Sequence, residues 1–245
     1  MININNIKKE IKAKFKDEEL YIQLKKLNAI IAGGAITSIL TNRRINDFDI
    51  YFRNEESIKK IKEYMKQKEY KIISTTDNAI TYRKDNYPII QIITAKELMF
   101  NKPIDLIKSF DFTINMAALD LISNELVLEE NFIEDNIKRK LIFNEDTKYP
   151  ITSLARAIKY IDRGYNLSGY EQVKISLAIN SLVIKDYKDL KKQLQGIDTS
   201  IFAPITDKLI KTEKEYSYQE FKQEMKEIDN ENNSNESSRS DSSFI

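Results

Sequence analysis

The 245-residue chain has no cysteine, no histidine and no tryptophan, and only five glycines and four prolines. Without cysteine there is no disulfide framework and no thiolate metal site. Without histidine there is no imidazole ligand and no serine–histidine or cysteine–histidine catalytic arrangement. Chemistry must therefore run on carboxylates, Lys, Arg, Tyr and bound ions, and an oxygen-liganded metal such as magnesium or manganese is the compatible kind. No apolar run approaches the roughly 20 residues that cross a bilayer, and the opening MININNIKKEIKAK has no secretory apolar core. A cytoplasmic protein with no membrane partner is expected.

What is present suits a globular fold, since 41% of residues are hydrophobic and a chain of this length can bury a sizeable core. The formal net charge is +1, but it is unevenly spread. Residues 213–245 hold nine acids and four bases, which leaves residues 1–212 at +6. A mildly basic body fits a nucleic-acid surface, and it fits equally well a bias of the chain toward Lys, Ile and Asn.

Periodicity sets the expected order of elements. Ile7, Ile11, Phe15, Leu20, Leu24 and Leu27 space an amphipathic helix over 6–27 that would pack on the back of a sheet. NAIIAGG reads as a short buried strand, AITSILTN as a helix opening after the glycines, and DFDIYF as a second strand. Residues 55–68 look helical, and YKIISTT, AITYRK and YPIIQIIT have the β-branched content of three further strands. Pro103 suits a first helical turn and precedes IDLIKSFDFTINMAALDLI, with a strand at ELVLEE. From about Asp135 the chain reads as mostly helical, with a last helix near 206–229. The fold class is α+β: a small mixed sheet with flanking helices over 1–146, a helical domain over 147–229, and a disordered, Asn/Ser/acid-rich tail over 230–245.

The segment Ile30–Phe52, IIAGGAITSILTNRRINDFDIYF, carries the strongest functional signal. On a strand Asp47 and Asp49 share one face while Phe48 and Ile50 take the other, so the two carboxylates can hold one divalent ion. Gly33 and Gly34 let the backbone approach a phosphate at the start of a helix. A DxD alone is commonly a pair of solvated acids. Strand, GG, helix and DxD strand in that order bring the glycine turn and both carboxylates to one sheet edge.

This segment resembles the nucleotidyltransferase superfamily that includes DNA polymerase beta, poly(A) polymerases and the CCA-adding enzymes. SFDFTINMAALD, Ser109–Asp120, resembles the RRDFTINA motif of the bacterial poly(A) polymerase and CCA-adding branch. By that resemblance Asp111, Thr113 and Asn115 approach the sugar and triphosphate of the incoming nucleotide; alternatively Asp111 caps a helix beginning near Thr113. ITSLARAIKYIDRGYNL resembles the family's LRAIRFAARLGF helix, with Arg156, Lys159 and Arg163 on one face, either for RNA phosphates or as a solvated face.

The departures are specific. Ala35-Ile36-Thr37-Ser38 stands where the family has AVRD, so phosphate contact would pass to Ser38. Ser109 and Phe110 replace two arginines, and Ser153 falls where an arginine reads base edges. Gln91 stands where many members carry a third carboxylate; either Asp47 and Asp49 suffice with substrate oxygens, or Asp111 reaches in. Arg43 and Arg44, before the DxD strand, are candidates for phosphate or acceptor contact.

The resemblance implies a magnesium- or manganese-dependent enzyme that moves a nucleoside monophosphate from an NTP, with ATP expected, onto a hydroxyl such as an RNA 3′ end. Nucleotidylation of a protein, a transfer RNA or a small molecule is the alternative. A catalytically silent binding relative is the rival from another class.

Overall fold

The computed structural model describes residues 4–194 and 199–227; the expected disordered tail, 230–245, lies outside them. Two helices open the chain, α1 (Ile4–Phe15) and α2 (Glu18–Lys26), where the apolar spacing predicts one. The break is local. Lys16 takes a left-handed φ of 64° and the Asp17 carboxylate accepts from the Leu20 amide at 2.8 Å, starting a new helix. Such a cap contributes about 1 kcal/mol, and the bend keeps Ile11, Phe15, Leu20 and Leu24 in one buried cluster.

Among the described residues the sheet has seven strands: β1 (Ile30–Ala32), β2 (Asp47–Tyr51), β3 (Lys71–Thr75), β4 (Ala79–Arg83), β5 (Ile89–Ile93), β6 (Ala117–Asp120) and β7 (Glu125–Leu128). Their order is β3-β4-β5-β2-β1-β6-β7, and only the β2–β5 pair is parallel. The fold class is therefore the expected mixed α+β. β6 is the strand that periodicity hid. MAALD has helix-forming residues, yet only one 3₁₀ turn (Thr113–Asn115) precedes a strand that pairs with β1 and β7. Ala117 and Ala118 are fully buried, and packing on both faces of the sheet overrides local propensity there.

The sheet has two unlike faces. Ile31, Phe48, Ile50, Ala117 and Leu119 meet α1, α2, α3 (Gly34–Leu40), α4 (Glu55–Gln67) and Phe132 of α6 (Phe132–Ile137) in the larger cluster. Ile30, Ala32, Tyr51 and Ala118 meet Leu106 and Ile107 of α5 (Pro103–Lys108) on the other. Asp47 and Asp49 belong to this second, less covered face.

Contacts divide the chain into two interleaved units: residues through Thr147 together with Tyr160–Gln172, and Lys148–Lys159 together with the chain from Val173. α7 (Pro150–Asp162) passes through both, and α8 (Gly169–Asn180) begins in the first. In the first unit the returning segment is held by a Phe143 amide bond to the Glu171 carboxylate at 2.7 Å and by an Asn166 amide bond to the Arg139 carbonyl at 2.7 Å. The second unit packs Tyr187 and Leu190 of α9 (Tyr187–Gln193) on Ile205 and Leu209 of α10 (Thr199–Ile210) and on Phe221. The single helix expected near 206–229 is two, since α10 stops at Ile210 and helix resumes at 218–227 after Glu213, with φ 54°.

Candidate functional site

β2 alternates as its sequence dictates. Asp47 and Asp49 are half-buried, while Phe48 and Ile50 are fully buried behind them. β1 runs antiparallel to β2 with Ala32 opposite Asp49, so the turn that leaves β1 lies beside the carboxylates. Gly33 in that turn has φ +79°, a conformation that side chains resist. Its amide donates to the Ala117 carbonyl at 3.0 Å, fixing the turn to β6. A Cβ at Gly33 would lie 3.4 Å from Asp49 Oδ2 and 3.9 Å from the Phe110 ring. The glycine turn, one carboxylate and an aromatic ring thus converge, and Gly34 beside them is exposed with open space around it.

Phe110, which stands where the family has an arginine, joins the candidate site. Its ring packs against Tyr51 at a centroid distance of 6.0 Å. The clue was its position directly before Asp111 in a segment already singled out. Gln91 is also located: it registers with Asp49 on the parallel strand β5, and its side-chain amide donates to Thr81 at 3.2 Å. A neutral group thus stands next to Asp49. Asp120, at the far end of the same face, is neutralised by Arg53 at 3.1 Å.

The SFDFTIN segment behaves differently. Asp111 is 5% exposed, and its carbonyl accepts from the Asn144 amide at 2.8 Å. It does not cap the turn at Thr113–Asn115, whose cap residue is Phe112. Thr113 donates its hydroxyl to Asp135 at 2.6 Å. Asn115 is 1% exposed and exchanges two hydrogen bonds with the Tyr160 hydroxyl, at 2.7 and 3.0 Å. Asn136 extends the network, accepting from the Tyr165 hydroxyl at 2.6 Å and donating to the Ile114 carbonyl at 3.0 Å. Thr113 and Asn115 therefore direct their polar groups into the protein.

The basic candidates belong to different units, Arg43, Arg44 and Arg163 to the first and Arg156 and Lys159 to the second. Arg43 donates to the Arg163 carbonyl, and the Arg163 guanidinium sits 5.6 Å from the centre of the Tyr160 ring. Arg156 and Lys159 lie on α7. Ser153, on the same helix, is 1% exposed and donates to the Tyr149 carbonyl at 3.1 Å. Ser38, Arg43 and Arg44 line a cavity that does not include Asp47, Asp49, Gly33 or Gly34.

Among the described residues no group of three or more acidic, His or Cys side chains gathers as a metal site. A half-buried carboxylate pair is the kind of donor set magnesium takes, since it is commonly held by one or two carboxylates with water and substrate phosphates filling the rest. Among the described residues no helix is long and apolar enough to cross a membrane.

The sheet that carries the DxD strand and the glycine turn has a nucleotidyltransferase-like fold, shared with tRNA-processing and CCA-adding enzymes. A tRNA-processing enzyme in apo form superposes with a TM-score of 0.53 at 17% identity, covering 78% of this chain and 56% of that one. A CCA-adding enzyme in complex with ATP gives 0.53 at 16% identity, over 72% of this chain and 46% of that one. Within that fold class, the family model described as Gabija anti-defense 2 family protein matches residues 3–139, and the chain belongs to this family. A curated relative, "Gabija anti-defense 2" of Bacillus phage SPbetaL7, is 37% identical over 201 residues, which is 82% of this chain and 48% of the relative. The chain thus spans about half the length of that relative.

Proposed function

We propose that the Asp47–Asp49 face transfers a nucleoside monophosphate from an NTP, with ATP the expected donor, to a hydroxyl acceptor, and that this reaction counters the Gabija defence named in the family. The observation that carries the reading is the meeting of Asp49 with the Gly33 turn, with a Gly33 Cβ position only 3.4 Å from Asp49 Oδ2. Carboxylates and a backbone stripped of side chains are brought together where a triphosphate and its counter-ion would lie.

Asp47 and Asp49 would hold Mg2+ or Mn2+, which lowers the pKa of an attacking hydroxyl and offsets charge on the phosphates. The Gly33–Gly34 turn gives the triphosphate close approach to the backbone, and Phe110 offers a ring to the sugar or base. The acceptor oxygen forms a bond to the α-phosphorus as the bond to the pyrophosphate oxygen breaks. The hydroxyl proton passes to a carboxylate of the pair or to a phosphate oxygen. No third carboxylate contributes at position 91, so the substrate's own oxygens complete the charge balance.

The +6 charge of residues 1–212 supports an RNA acceptor, and the family relationship supports a component of the defence as the molecule modified. Incubation with each labelled NTP, magnesium or manganese, total RNA and purified Gabija components decides the question. Label on RNA or on a defence component, lost in an Asp47→Ala/Asp49→Ala variant, is expected. Absence of label in every arm, with no magnesium binding by calorimetry, would overturn the reading.

A further inference from the structure

The face of β2 opposite the carboxylates carries a second concavity. The end of α1, the loop after α3 and the turn between β4 and β5 surround a cavity of about 550 Å³, within the range of small-ligand sites. Phe48, whose ring is turned away from Asp47 and Asp49, reaches its floor although the residue is fully buried, and Ile39, Ile45 and Pro88 add apolar wall.

Four cations line this cavity, Lys14, Lys16, Arg43 and Arg44, against the single carboxylate of Glu10. Among the described residues Lys14, Lys16 and Arg44 make no ion pair. Like charges gathered without partners repel one another and raise the local affinity for anions. Tyr87 stands at the rim, 36% exposed, with the Lys84 ammonium 5.1 Å from its ring centre. Three lining residues, Lys16, Asn42 and Asn86, hold left-handed backbone at φ 64°, 53° and 67°. Asparagine visits this region readily, so of the three only Lys16 is in an uncommon conformation for its type.

An apolar and aromatic wall beside unpartnered cations is complementary to a flat ring bearing several negative charges. We propose that this cavity binds a nucleotide independently of metal, at a site separate from the Asp47–Asp49 face. Lys14, Lys16 and Arg44 meet its phosphates, and Tyr87 and Pro88 meet its base. Apolar and aromatic groups set beside a cluster of cations favour a mononucleotide, with a base for the one and phosphates for the other, over a polynucleotide backbone, which a basic strip alone would serve.

Equilibrium binding of ATP, GTP, inorganic pyrophosphate and a short single-stranded RNA, in EDTA at low salt, tests this on the full chain. ATP or GTP is expected to bind the native chain and the Asp47→Ala/Asp49→Ala variant equally. Lys14→Ala/Arg44→Ala, at exposed positions, should weaken binding about tenfold, and Lys14→Glu/Arg44→Glu further still. Tyr87→Ala should weaken ATP more than pyrophosphate, a pattern that general loss of structure does not produce. Any of three results would overturn the proposal: no EDTA-resistant nucleotide binding by the native chain, binding lost with the aspartates, or binding of RNA alone. Labelling in the presence of metal is a separate readout, so failure of the transferase reading leaves this test intact.

Discussion

Two segments carry the likeness to nucleotidyltransferases, and they use their polar residues in opposite ways. Around Gly33, Asp47 and Asp49 the polar groups stand half-exposed at a sheet edge, over a strand whose other face is fully buried. Around Thr113 and Asn115 the polar groups turn inward and bind Asp135 and Tyr160. One segment leaves its carboxylates half-exposed at the sheet edge, while the other fastens the sheet to the returning chain. A shared motif therefore does not assign a shared role; burial and hydrogen-bond partners do.

The sharpest test of this contrast removes the carboxylates. Asp47→Ala/Asp49→Ala should lower nucleotidyl transfer by about a thousandfold or more, as losing a catalytic constellation does, with an unchanged denaturation midpoint. Asn115→Ala should do the reverse. It strands the Tyr160 hydroxyl inside the protein and should cost about 2–3 kcal/mol of stability, read by urea unfolding, while activity per folded molecule persists. If Asn115→Ala instead abolished transfer at full stability, the contrast would fail and Asn115 would join the nucleotide site.

Gly33→Ala probes the point where the two segments touch, because the Gly33 amide is bonded to Ala117 just past the Asn115 turn. A methyl at φ +79° beside Asp49 should cost about 1–2 kcal/mol and also reduce transfer, so both readouts should move together. A smaller effect marks a joint outside both segments. Tyr70 donates to Asp17 at 2.6 Å, and burial, followed by that bond, pushes the phenol well above its ordinary value. The folded chain then keeps a proton that the unfolded chain releases. Its contribution is complete below the ordinary tyrosine pKa of about 10 and fades as pH rises above that value. Tyr70→Phe should flatten that part of the stability–pH curve and cost about 1 kcal/mol at neutral pH.

The first segment was readable in the sequence because period-two alternation and a glycine pair are local signals. Asp47, Phe48, Asp49 and Ile50 face as their order requires, and six of the seven strands follow from β-branched runs. β6 was not readable, because Ala117 and Ala118 become strand residues only through partners at β1 and β7. The break at Lys16–Asp17 hides for a related reason, since the apolar spacing continues across it and only the cap and backbone twist divide the helices. The inward turn of Asn115 depends on Tyr160, and no local pattern announces a partner so distant along the chain. The basic cavity likewise draws Lys14, Arg44 and Tyr87 from three separate parts of the sequence.

The position of β1 has a consequence for how the molecule comes together. One neighbour, β2, is close in sequence, whereas the other, β6, joins Ile30 to Asp120 across about 90 residues. Loop closure over such a span is entropically slow compared with hairpin formation. The helices and the β3–β4 hairpin can form early, but the Gly33 turn acquires its bond to Ala117 only when this long closure is complete. A nascent chain shorter than β6 would carry Asp47 and Asp49 without the bond that fixes the Gly33 turn beside Asp49.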